Sequence, residues 1–247
     1  MKKNIVVLAA LMAGAASLSA EEAAAPEGSS LSVTTTIAYD SMYVFRGIQL
    51  AESIMSPAVS LSYGNVYGGL WFAFPVRDEE YYPDTNEMDA NLGYGYAITD
   101  TVKLDVGVTR YTYREIPDDF FTDYINSTEF YVGAALSVPL SPAVYIYRDI
   151  DYDVTTVEAR ASYTFEFTKV VSLGLSASVG YVMPDDGDEF SYYAAAANLI
   201  FKINESSSVS AGARFGGSSE DYIYGQIKDP DYGKSAVWFG MAYSTAF

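Results

Sequence analysis

Val237-Trp238-Phe239-Gly240-Met241-Ala242-Tyr243-Ser244-Thr245-Ala246-Phe247 decides how the rest of the chain is read. Successive side chains of a β-strand point to opposite faces. On that reading Val237, Phe239, Met241, Tyr243, Thr245 and Phe247 share one side, and Trp238, Gly240, Ala242, Ser244 and Ala246 share the other. The first side is oily and closes on an aromatic ring; the second is mostly small. A soluble sandwich strand would bury the oily side and then trail into polar residues. This one stops on Phe247.

Composition narrows the classes open to such a chain. Half of the 247 residues are hydrophobic and 15% are aromatic, 23 of them Tyr, which disfavours disorder over most of the length. Cys is absent, so disulfides, thiolate metal sites and thiol nucleophiles are excluded. His is absent too, which removes the usual general base of serine hydrolases and the commonest zinc ligand. No enzyme activity is therefore expected, and neither a cofactor nor a metal centre.

The N-terminus reads as a secretory signal over residues 1–20. Lys2 and Lys3 precede the apolar run Ile5–Ala16, and small residues follow at Ser17, Ser19 and Ala20. Residues 21–30 read as a disordered lead-in. Without the two lysines, 12 basic residues face 32 acidic ones, a net charge of −20. So acidic a chain is a poor nucleic-acid binder. No other segment approaches 18 apolar residues, so any crossing of a membrane must be made by strands.

Twelve runs with period-two alternation follow, over 31–46, 56–64, 66–77, 86–98, 102–115, 127–138, 142–150, 153–167, 170–182, 190–203, 207–217 and 234–247. Tight connections such as Gly64-Asn65 and Thr168-Lys169 alternate with longer, acidic ones at Gly47–Met55, Asp78–Thr85, Pro117–Asn126, Met183–Glu189 and Ser218–Gly233. Asp151-Tyr152 is a short member of the second set. Long loops at one end and turns at the other are what an up-and-down transmembrane β-barrel needs, and an even strand count puts both chain ends at the turn side. The predicted fold is all-β: an antiparallel barrel of about twelve strands over residues 31–247.

The faces follow strand by strand. Val171, Leu173, Leu175, Ala177, Val179 and Tyr181 oppose Ser172, Gly174, Ser176, Ser178 and Gly180; Met88, Ala90 and Leu92 oppose Glu87, Asp89 and Asn91. Apolar residues then face lipid and small or charged ones face the interior. Tyr39, Tyr43, Phe45, Phe72, Phe74, Phe130, Phe165, Phe167 and Tyr181 sit near strand ends, as interface girdles would. The same parity sends Arg110 outward, either to the outer headgroups or corrected by a bulge. In the seventh run Val144 and Ile146 compete with Tyr145 and Tyr147 for the outer face.

Ionisable residues expected inside are Asp40, Arg46, Asp89, Lys103, Asp105, Glu129, Glu158, Arg160 and Arg214. Packed in a narrow barrel they would pair and plug it; in a wet lumen Arg46, Asp89, Asp105, Glu129, Glu158, Arg160 and Arg214 would line a pore. Arg46 stands out, at the outer end of the first run and just before Gly47, where the chain must turn. The acidic loops read as a solvated surface, with cation attraction or divalent-ion bridging to anionic lipid as alternatives. Asp185-Asp186-Gly187-Asp188-Glu189 lacks the spacing of an EF-hand loop.

Two resemblances bear on these residues. Phe239, Tyr243 and the final Phe247 resemble the closing-strand signature of bacterial outer-membrane barrels, which the barrel-assembly machinery recognises. Ser41-Met42-Tyr43-Val44-Phe45-Arg46-Gly47, then Pro57-Ala58, then Tyr67-Gly68-Gly69-Leu70-Trp71, is similar to the Gcw-type conserved hypothetical family, also termed TorF-family porins. The family pattern has Asp where this chain has Met42, and Gly where it has Asn65. The family resemblance implies a barrel with a transport role; with the secretory signal and the closing strand, the expected place is the outer membrane of a Gram-negative bacterium, reached by Sec export and in contact with outer-membrane lipid. The resemblance brings no solute. The expected function is a channel for small neutral or cationic solutes; the alternative is a plugged structural or surface-binding barrel acting through its acidic loops.

Overall fold

The computed structural model describes residues 31–76, 85–115, 126–221, 223 and 233–247. The expected signal peptide and lead-in lie outside them, as do most of the acidic loops at 78–85, 117–126 and 218–233. Fourteen strands run through the described residues: β1 Ser32–Asp40, β2 Tyr43–Phe45, β3 Ile48–Ala51, β4 Ile54–Tyr63, β5 Val66–Pro75, β6 Thr85–Ala97, β7 Val102–Glu115, β8 Asn126–Leu136, β9 Ala143–Asp149, β10 Val154–Glu166, β11 Val171–Pro184, β12 Phe190–Lys202, β13 Ser207–Ser218 and β14 Ser235–Ala246. Twelve of them close a barrel in which each strand pairs antiparallel with its neighbour, and β1 meets both β4 and β14.

The oily surface is the outer one. Leu92, Val132, Val179, Leu199, Phe239 and Met241 are among the exposed apolar side chains. Their inward neighbours Asp89, Asp105, Glu129 and Arg214 are buried. Water cannot hydrogen-bond the backbone within a bilayer, so closure of the sheet on itself is what lets strands cross one. The structure also resolves the seventh run: Tyr145 and Tyr147 are buried inside, while Val144 and Ile146 face out. Arg110 lies in unbroken register between Ala90 and Thr128, and reaches Asp151 in the long-loop end of the barrel at 3.1 Å. No bulge resets its parity. Its charge is met at the rim.

The first predicted run is corrected. It is not one strand over 31–46: β1 stops at Asp40, where Ser41 exchanges backbone and side-chain hydrogen bonds with Phe239 of β14. The chain then leaves the wall. Residues expected in an external loop at Gly47–Met55 instead form β3 and the start of β4, and β2 and β3 make a hairpin folded into the barrel. Tyr43 and Phe45 accordingly belong to the interior, not to a lipid girdle. The reason is hydrophobic: Tyr43, Val44, Phe45, Ile48 and Leu50 crowd onto an eight-residue stretch, and each such side chain, once buried, contributes about 1.5–3 kcal/mol.

The hairpin spans the lumen. Tyr43 packs with Ile54 and Ala73, Val44 with Trp238, and Ile48 against Val182, Phe190 and Tyr192 on the far wall. Its turn is Arg46-Gly47, both at positive φ (48° and 79°), with Phe45 paired to Ile48 across it. A two-residue turn of this hand matches the twist of the strands it joins. Gly47 is required twice over, because a Cβ there would lie 2.7 Å from the Cβ of Tyr192 and 2.8 Å from the carbonyl oxygen of Gly217.

Candidate functional site in the lumen

Four inward tyrosines stand directly opposite inward glycines of a neighbouring strand: Tyr67 with Gly93, Tyr131 with Gly107, Tyr145 with Gly133 and Tyr192 with Gly180. A Cβ at any of those glycines would fall 2.2–2.4 Å from ring atoms, so each ring rests on the bare backbone beside it. The rings thereby run along the wall and carry their hydroxyls to carboxylates one strand further on. Tyr67 and Tyr145 donate to Asp105 at 2.6 and 3.0 Å, and Tyr192 donates to Glu158 at 2.7 Å. Tyr67 and Tyr131 join their hydroxyls at 2.7 Å. Arg160 sits 4.0 Å above the Tyr145 ring and 3.9 Å from Glu158. Charge-assisted bonds of this kind hold the carboxylates in place.

The hairpin carries the second group. Arg46 holds Glu129 of β8 through both guanidinium ends, at 2.6 and 2.9 Å, and lies 4.8 Å from the Phe45 ring centre and 4.6 Å from that of Tyr147. Tyr111 donates to the same carboxylate at 3.1 Å. Tyr43 donates to Glu87 of β6 at 2.9 Å and packs on Trp71. Beside Glu87 the carboxyl of Asp89 is buried, and the two acids are hydrogen-bonded to each other.

A third group closes the seam between the chain ends. Arg214 of β13 and Asp40 of β1 meet across β14 at 3.0 Å, directly over Gly240. Their contact is close but not aligned as a directed hydrogen bond. Any side chain at position 240 would enter it, since a Cβ would lie 2.2 Å from both groups.

Of the residues singled out from sequence, Arg46, Asp89, Asp105, Glu129, Glu158, Arg160 and Arg214 all point into the barrel, but in three separate groups. Ser41, Tyr43, Phe45, Arg46 and Gly47 form the joint, hairpin and turn. Trp71 and Gly69 face the same interior, as does Ala58. Pro57 faces outward, and the β4–β5 ladder is interrupted beside it, between Met55↔Phe74 and Ala58↔Trp71, with the register unchanged on either side; proline has no N–H to give to the ladder. Phe239 and Tyr243 lie on the oily exterior, and Phe247 pairs with Val33 beside the barrel's short turns. The sequence assigns no lumen role to Glu87 or to Tyr67, Tyr111, Tyr131, Tyr145, Tyr147 and Tyr192, although it puts Glu87 on the inward face and Tyr67 in the family stretch. The signal for four of them was present, as inward glycines at matching depth on adjacent runs. At the outer rim Asp185 is taken by Arg148 at 2.8 Å, whose hydrogen bonds hold its carboxyl below the ordinary value of 3.8. Glu189 accepts from Tyr181.

A family model described as a bacterial protein of unknown function, Gcw_chp, matches residues 23–239. No curated protein sequence matches the chain. Among solved structures the chain is similar to the KdgM porin (TM-score 0.54, 11% identity, covering 87% of this chain and 99% of that one). It is also similar to LpxR from Salmonella typhimurium (0.51, 8%, 87% and 99%) and to the NanC porin (0.50, 9%, 87% and 99%). At such identities the likeness speaks for the barrel alone.

Proposed function

Because the chain belongs to the Gcw_chp family of bacterial proteins of unknown function, its membership brings no activity, and we propose one from the lumen: an outer-membrane channel for small neutral or cationic solutes. One observation carries this reading. Inward residues on β4 and β11–β13 are small (Ala58, Ser60, Ser176, Ser178, Ala194, Ala196, Ser210 and Gly212) and only half-buried. With their outer neighbours against lipid, the space they open onto is the barrel's interior. A filled barrel of this size would bury them. The tyrosine-lined wall opposite is bulky, so the path is eccentric, and the hairpin narrows it at the long-loop end.

Charge favours cations mildly. Inward carboxylates at Asp40, Glu87, Asp89, Asp105, Glu129 and Glu158 outnumber the bases Arg46, Lys103, Arg160 and Arg214. Outer-membrane lipid and the assembly machinery that would read Phe239, Tyr243 and Phe247 are the expected partners, with divalent cations at the acidic loops. Sec export in a Gram-negative cell and the absence of enzyme activity belong to the same proposal. The hairpin, which reaches from wall to wall, and the pairing of Arg46 with Glu129 and of Arg214 with Asp40 support the plugged barrel. Single-channel recording in planar bilayers separates the two. Discrete, cation-preferring steps support the channel; no current from the wild type or from a variant lacking residues 43–51 leaves the plugged reading.

A further inference from the structure

Arg46 is seated as a ligand would be. Its planar guanidinium meets Glu129 through two parallel bonds, at 2.6 and 2.9 Å, with an aromatic face on Tyr147 and a further hydrogen bond to the carboxylate from Tyr111. A fork of donors matched to a carboxylate is the geometry of guanidinium recognition, which an ammonium cannot reproduce. The parts that make the seat, Glu129, Tyr147 and Tyr111, belong to the barrel wall on β8, β9 and β7. The occupant belongs to the hairpin, whose covalent links to the wall run through Ser41-Met42 and Glu52-Ser53.

Beside the seat is an acid that the hairpin does not use. Asp89 stands directly across from Tyr111, the residue that bonds Glu129, and is 3% exposed. No base of the hairpin reaches it; its carboxyl is hydrogen-bonded to that of Glu87, which also accepts from Tyr43. Two buried carboxyls held together share a proton, and a cation that reaches them can take the place of that proton. The seat therefore extends past Arg46 to an acid pair that the hairpin leaves without a base.

We propose that this pocket recognises solutes carrying a guanidinium group, and that Arg46 is a tethered stand-in which such a solute displaces. The inference rests on the channel reading and names its solute class. Withdrawal of the hairpin by itself strands Glu129 as a buried, unpaired charge, a costly change. Withdrawal with a guanidinium solute replaces like with like, and a second positive group on that solute reaches Asp89. The hairpin thus opens in response to the solute it admits, because that solute binds only the open arrangement.

The mature full-length protein, folded in detergent, is titrated with guanidinium chloride and with agmatine, each against sodium chloride at equal ionic strength. Removing the tethered competitor in Arg46→Gly, which keeps the positive-φ turn, is expected to tighten agmatine binding on the order of tenfold or more. Glu129→Gln on that background is expected to abolish it, and agmatine is expected to bind more tightly than guanidinium. In bilayers, guanidinium is expected to raise the open fraction of the wild type and to leave Glu129→Gln unmoved. Equal affinities in wild type and Arg46→Gly, or binding that survives Glu129→Gln, overturn the proposal. If Arg46→Gly does not fold, as judged by heat-shifted gel mobility, the bilayer comparison of wild type with Glu129→Gln decides it. Binding without current in any variant removes the channel reading and leaves the site; current indifferent to guanidinium removes the site and leaves the channel.

Discussion

At the scale of single residues, the interior is governed by what glycine leaves room for. Gly240 is the clearest case, because the Arg214–Asp40 contact that ties β13 to β1 lies on its bare Cα. Gly240→Ala is expected to break that contact and destabilise the barrel by about 3 kcal/mol, the scale for opening a buried ion pair. Asp40→Asn should cost a similar amount, whereas Asp40→Leu with Arg214→Met should cost far less, since no charge is then left unpaired. Heat-modifiability on gels and denaturant titration in detergent measure all three. If the double variant is no better than the single one, the pair contributes more than charge balance. The inward glycines under Tyr67, Tyr131, Tyr145 and Tyr192 follow the same logic.

At the scale of elements, the hairpin is the part that chain order alone would put outside. Gly47→Ala keeps its sequence and charge but forces a Cβ against Tyr192 and the Gly217 carbonyl at a positive φ. The tip should lift from the far wall. Proteolysis near residues 41–53 should accelerate and single-channel current should rise; unchanged current would mean the hairpin does not limit the path. The rim clamp behaves differently. Because Arg148 holds Asp185 below the ordinary carboxyl value, the clamp is fully present above that value and is lost as pH falls through the lowered one. Both groups are exposed, so Arg148→Ala is expected to change loop mobility at low pH, read by spin-label spectroscopy, and to leave global stability nearly unmoved.

At the scale of the whole molecule, the decisive property is which side of the wall is oily. Ala177 and Ser176 are adjacent on β11, one facing out and the other in. Ala177→Arg is expected to cost about 2–4 kcal/mol near the bilayer midplane, while Ser176→Arg, on the lumen side, should change conductance with little effect on stability. Equal penalties would contradict the inside-out arrangement. So would recovery of the mature chain as a soluble monomer without detergent.

The number of barrel strands, the limits of most of them and the facing of most side chains were legible in the sequence, because alternation is a local property and a bilayer enforces it along every strand. The run 171–182 alternates so cleanly that its facing follows from residue types alone. Where both faces carry large side chains, as at Val144-Tyr145-Ile146-Tyr147, alternation is silent. There the neighbouring strands decide: Gly133 leaves the space for Tyr145 on the inside. The hairpin was hidden for a related reason. Tyr43, Val44 and Phe45 continue the alternation of β1, and nothing within the run marks the point at which the chain leaves the wall. That point is set by Ser41 closing onto Phe239 at the other end of the chain, and by interior surfaces on β5, β8, β12 and β14 that accept the hairpin. Periodicity fixes which face of a strand is oily; which groups meet across an enclosed space depends on contacts between residues far apart in the chain, and those exist only once the barrel has closed.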